Sequence, residues 1–139
     1  MKSENEPVTL DEFVLRLIWR DYYKAGEPPL ISPRAFLPKP NEADGISVFR
    51  AACLRNVDEV LTVVALAKRD LYAIVSLSVA DLTSLGLSVL IAPITTLPGH
   101  AVLPELNSVV VKSDPRWTAS VQQSLAELAS HNVLRTPTE

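Results

Sequence analysis

Apolar positions recur along the chain with two spacings, one suited to helices and one to strands. Leu10, Phe13, Val14, Leu17 and Ile18 fall at i, i+3, i+4, i+7 and i+8, which predicts an amphipathic helix over residues 9–23. Thr9-Leu10-Asp11-Glu12 supplies a capping box at its start, and Gly26 lies beyond its end. Residues 46–53 read as a strand. Asn56 and Glu59 repeat the capping pattern ahead of a second helix over 57–68, although the β-branched run 61–67 also admits a strand. Residues 72–77 form the clearest strand. Ser78 caps a short helix running through Leu85, with Asp81 at its favourable end and Gly86 stopping it. A strand at 88–92 follows, giving a compact βαβ-like unit that is either a parallel crossover or an antiparallel return.

Short strands are expected at 100–103 and 109–111. Asp114-Pro115 then opens the last helix, with a cap residue followed by proline at the first helical position. Trp117, Val121, Leu125 and Leu128 form its buried stripe through about Ser130, and Asn132 takes the left-handed conformation that ends it. Val133 and Leu134 add an edge strand. These elements predict an α+β fold, a small mixed sheet with a helix at each end of the chain. One domain spans 1–139, with 1–8 and 135–139 as flexible tails.

Residues 26–45 are of a different composition. Pro28, Pro29, Pro33, Pro38 and Pro40 exclude both a helix interior and a central strand. Leu30, Ile31, Phe36 and Leu37 are too apolar for a free linker, so an ordered surface loop is expected. A loop of this length in a small domain is often functional. Residues 41–45 then turn the chain into the next strand.

Charge narrows the classes. With Asp+Glu 16 against Lys+Arg 13, the net charge is −3, which offers no basic footprint for nucleic acid. Residues 82–104 carry no formal charge and are long enough to span a bilayer. Gly86, Pro93, Pro98 and Gly99 interrupt them, however, and a backbone so broken cannot satisfy its own hydrogen bonds in lipid. Residues 1–7 lack the apolar core of a signal peptide. Cys53 is the single cysteine and reads as a small buried hydrophobe in a reducing, cytoplasmic setting.

The chain has no phosphate-binding glycine loop, GxSxG elbow or HExxH pair. Two histidines and one cysteine do not make a standard zinc site, and no metal or cofactor is expected. His100 stands at a loop-to-strand junction inside the uncharged stretch, where an imidazole can serve as general base or simply hold a loop carbonyl. His131 reads as a cap at a helix C-terminus. Asp44, Ser47 and Arg50 form a second cluster: in an extended chain, 44 and 50 share one face while Ser47 points the other way, so Asp44 and Arg50 can pair or bind a ligand together. Arg16 and Arg20 are spaced to hold an anion on the first helix, but Glu12 lies four residues before Arg16 and can pair with it.

Three blocks, Ile31-Ser32-Pro33-Arg34-Ala35-Phe36-Leu37-Pro38, Asp44-Gly45-Ile46-Ser47-Val48 and Gly99-His100-Ala101-Val102-Leu103-Pro104, resemble a loose family of small uncharacterised bacterial proteins. There, a proline-flanked loop bearing an aromatic precedes a leucine-serine-valine strand, and a histidine-alanine strand comes later. Ile46 stands where leucine is usual. The resemblance implies no activity, only that the loop, Ser47 and His100 belong to one architecture. The leading expectation is a small soluble interaction or accessory protein that meets another protein or its own copy. The alternative is a small enzyme or ligand-binding protein with a pocket of the proline loop, Ser47 and His100. An exposed apolar patch would favour the first, and a concave pocket holding His100 the second.

Overall fold

The run Phe-Val-Leu-Arg-Leu-Ile-Trp at 13–19 is apolar on both sets of alternating positions, which suits a strand covered on two faces. In the computed structural model, which describes residues 1–138, this run is strand β1 (Phe13–Trp19). The helix expected over 9–23 is therefore absent. Leu15, off the apolar stripe of that helix, is only 1% exposed, and β1 is paired along its whole length with β5 (Tyr72–Ser78), from Phe13 opposite Ser78 to Trp19 opposite Tyr72. Long-range pairing with burial on both faces outweighed the helical spacing. The Thr9–Glu12 box survives as a turn: the Glu12 N–H donates to the Thr9 carbonyl and the Thr9 N–H to the Glu12 carboxylate.

The short strands β2 (Tyr23–Lys24) and β3 (Leu30–Ile31) pair as a separate ribbon at the head of the proline loop. The loop continues through a 3-10 turn, Pro33–Phe36, capped by the Ser32 hydroxyl. Phe36 is fully buried and Leu37 half-buried, whereas Leu30 stays 59% exposed. Strand β4 (Ile46–Arg50) ends three residues earlier than expected, in a 3-10 turn at Ala51–Cys53. The helix expected over 57–68 is two 3-10 segments, Val57–Val63 and Leu66–Leu71, split where Val64 turns extended. The Asn56–Glu59 capping box is formed in full.

After β5, helix α1 (Val79–Ser84) has the Ser78 cap, and Gly86 takes φ 81 just past its end. Strands β6 (Leu90–Ile91) and β7 (His100–Leu103) follow. Residues 109–111 are helical, not a strand, within α2 (Ser108–Ser113). The reason is local, because the Asn107 side chain accepts from both the Val109 and Val110 N–H groups at 2.9 Å and starts a helix despite three valines. Helix α3 (Pro115–Ser130) has the Asp114 cap, and β8 (Val133–Arg135) lies at a sheet edge. Asn132 is not left-handed, since no described non-glycine residue has positive φ; its side-chain amide instead donates to the Leu128 carbonyl.

The main sheet runs β6-β7-β4-β1-β5-β8. The fold is α+β, but every ladder is antiparallel rather than mixed. Of the two alternatives for the strand–helix–strand unit at 72–92, the crossover is formed: four antiparallel ladders lead from β5 to β6, so the two run parallel, with β1, β4 and β7 lying between them. One face carries Val14, Ile18, Ile46, Val48 and Val75 against α1, α3 and Phe36; the other carries Leu15, Phe49 and Ile74 against the 3-10 segments and Leu97. In α3 the buried set is Thr118, Val121, Gln122, Leu125, Ala126, Ala129 and Ser130, with Trp117 and Leu128 only half-buried beside it. No helix among the described residues is long and apolar enough to cross a membrane.

Candidate functional site

Alternation along β4 places Ile46, Val48 and Arg50 on the helix-covered face and Ser47 and Phe49 on the other, as the period of a strand requires. Phe49 is registered with His100 on β7, so the two rings meet edge to face at 5.2 Å between centroids. From there the imidazole reaches back along β4 to Ser47: His100 Nε2 lies 3.1 Å from Ser47 Oγ. Its Nδ1 lies 2.6 Å from the Ala92 carbonyl, which can only accept, so Nδ1 carries a proton. In the neutral ring Nε2 is then an acceptor, and the Ser47 hydroxyl donates to it. A backbone carbonyl thus fixes the tautomer and a serine hydroxyl faces the basic nitrogen.

This pair lines a cleft of about 540 Å³ with Asn41, Glu42, Asp44 and Gly45 from the end of the proline loop, Leu90 and Val102 from β6 and β7, and Ile94 from the loop between them. Gly45 shapes its floor. Its φ is 139, and a Cβ there would fall 2.6 Å from the Leu103 carbonyl oxygen, so only glycine brings the loop this close to β7. Glu42 anchors the rim: it accepts from the Ser47 N–H at 2.7 Å, the Lys39 N–H at 3.1 Å and Arg16 Nη1 at 2.9 Å. Burial pushes the Glu42 carboxyl up, but the Arg16 charge and these bonds outweigh it and hold the group below its ordinary value. Arg16 also donates to the Ala35 and Ser47 carbonyls, tying β1, β4 and the proline loop together.

The four expected site residues therefore divide. Asp44, Ser47 and His100 come together in the cleft, whereas Arg50 does not. Arg50 is fully buried and bonded to Glu12 through Nε at 2.9 Å and Nη2 at 3.0 Å, with further bonds to the carbonyls of Glu4, Glu6 and Pro7. It pairs with Glu12 rather than Asp44, and Arg16 with Glu42 rather than Glu12. Cys53 is buried beside Arg50; burial raises its thiol above the ordinary value more than the nearby guanidinium lowers it, which opposes a nucleophilic role. The proline loop reaches the site as expected, through Asn41 and Glu42, which were not singled out within it; Leu90, Ala92, Ile94 and Val102 were not expected there. Glu42, the one acid between Pro40 and the Asp44-Gly45 turn, was the available signal.

Acyl transfer needs an activated hydroxyl and also fixed donors for an oxyanion. The donor Ser47 itself would offer, its N–H, is given to Glu42, and an exposed carboxylate, Asp44, stands on the cleft wall. The arrangement is better suited to holding a ligand by hydrogen bonds than to stabilising developing negative charge. Two other concavities are of comparable size, a groove of about 530 Å³ between α1 and α3 and one of about 710 Å³ lined by Arg20, Asp21, Tyr23 and Thr136. In the groove, Ser84 and Glu127 bond within their own helices instead of converging on a common point. Comparisons with protein-family models, curated proteins and solved structures yield no significant match to this chain.

Proposed function

We propose that the protein binds a small molecule in the cleft between the proline loop and the β6–β7 edge. The observation that carries the reading is the bonded Ser47–His100 pair opening into a cavity of about 540 Å³ with one polar and one apolar wall. Ligand sites have this character: concave, largely apolar, with a few convergent polar groups. Asp44, Asn41 and Ser47 supply the polar side; Leu90, Ile94 and Val102 supply the apolar one. The single buried thiol and absence of basic character agree with a cytoplasmic setting and a small ligand, not nucleic acid.

A fragment screen followed by amide chemical shifts tests this. Hits should cluster on Ser47, Leu90, His100 and Val102. Hits confined to the α1–α3 groove, or none, would overturn it. An interaction role is the second reading, carried by the two short edge strands: Leu90 on β6 and Leu134 on β8 are exposed beside unpaired backbone, a template for another chain.

A further inference from the structure

The hydrogen-bond polarity of the cleft restricts what it can hold. With His100 Nδ1–H committed to the Ala92 carbonyl, neutral Nε2 takes the Ser47 hydroxyl proton, so Ser47 Oγ turns lone pairs, not a donor, toward the cavity. Asp44 is exposed on the wall and has no ion-pair partner among the described residues. The other carboxylate there, Glu42, is compensated by buried Arg16, and both its oxygens accept protein donors. Lys39, a neighbouring cation in the chain, is not among the lining residues. Asn41 can turn either end of its amide to the cavity, so what is fixed in the cleft is the Ser47 acceptor and one uncompensated negative charge, opposite an apolar wall of Leu90, Ile94 and Val102. A carboxylate or phosphate would meet Asp44 and lone pairs, whereas an ammonium supplies three donors and the opposite charge.

We propose that the cleft selects a small organic cation, a primary alkylammonium. The head group is held by Asp44 and Ser47, and the chain lies along Leu90, Ile94 and Val102. This rests on the reading of the cleft as a ligand site and adds the ligand's chemical class. It also gives His100 a positioning role: by taking the serine proton, the imidazole sets Ser47 as an acceptor.

The test is an amide-shift titration of the full chain with three probes of one length, hexylammonium, hexanol and hexanoate. Hexylammonium should shift Ser47, His100 and Val102 and bind at least about tenfold more tightly than hexanoate, the scale expected of one close charge interaction partly exposed to water. Asp44→Asn should bring hexylammonium down to about the affinity of hexanol and weaken hexanol far less. Ser47→Ala should weaken the amine more than the alcohol. His100→Phe, which cannot take the serine proton, should weaken hexylammonium more than hexanol in the parent and add little on top of Ser47→Ala. Hexanoate binding as tightly as hexylammonium, or indifference of the amine to Asp44→Asn, would overturn the cation proposal and leave the cleft reading standing. If none of the three probes shifts the cleft amides, both fall.

Discussion

Replacing Glu12 by Gln removes the anion that faces a fully buried guanidinium. Glu12 is 5% exposed and Arg50 0%, and the pair is bidentate. Burial alone would push the Glu12 carboxyl up. The bonds from Arg50, the Thr9 N–H and Lys2 outweigh it and hold the group at about 2, against an ordinary 4.5. A carboxyl lowered on folding contributes stability that is complete above its unfolded value and is lost as pH falls from about 4.5 through about 2. The size of the shift corresponds to about 3 kcal/mol. Removing one partner of a buried pair costs about 3–5 kcal/mol at neutral pH, because the other charge is left in place. Urea melts of parent and Glu12→Gln should therefore show a gap of that size at neutral pH that narrows steadily toward about pH 3, as the parent loses what the variant never had. The double variant Glu12→Leu/Arg50→Met should recover most of the loss, since neither charge remains. A gap under about 1 kcal/mol at neutral pH, or one that does not change with acid, would refute the reasoning.

Three further outcomes are expected. Gly45→Ala should cost at least about 2 kcal/mol in a denaturant melt, because φ 139 and a Cβ 2.6 Å from the Leu103 carbonyl oxygen both oppose it. His100→Gln should cost about 1–3 kcal/mol through the orphaned Ala92 carbonyl, whereas Ser47→Ala should cost under about 1, its partner nitrogen opening onto the cleft; equal costs would count against that asymmetry. Leu125→Ala should cost about 2–5 kcal/mol and exceed Trp117→Ala, because Leu125 is fully buried and Trp117 only half so.

Where a local signal had no rival, it was legible in the sequence. The Ser78, Asn56 and Asp114 caps all form, and β5, β7 and α3 lie where periodicity put them. The largest failure has a tertiary cause. For residues 13–19, both a helical stripe and a two-faced strand fit the same letters, and only the distant partners β4 and β5 decide between them. That error also misplaced Arg16, which on a helix would have met Glu12 but on β1 meets Glu42, twenty-six residues away. At the site, alternation correctly set Ser47 on the face opposite Arg50, and the loop-to-strand position singled out His100. What no spacing could show was that β7 lies beside β4, the register that brings Ser47 and His100 within bonding distance.

The two buried arginines have a consequence for how the chain chooses among its own alternatives. Strands as uniformly apolar as β1 carry little information about alignment, since a slide of one residue exchanges one oily face for another. Arg16 and Arg50 remove that degeneracy. In the native register each guanidinium meets a carboxylate delivered by a loop, Glu42 or Glu12. After a slip of one position along β1, Arg16 would project into the opposite apolar layer among Phe49, Val60 and Ile74, with no acid to receive it. A sheet misaligned by one residue therefore carries a buried, unanswered charge, and the penalty falls on the competitor instead of the fold. Apolar replacements at both pairs would give up little of the stability, yet leave the chain freer to settle into the wrong ladder.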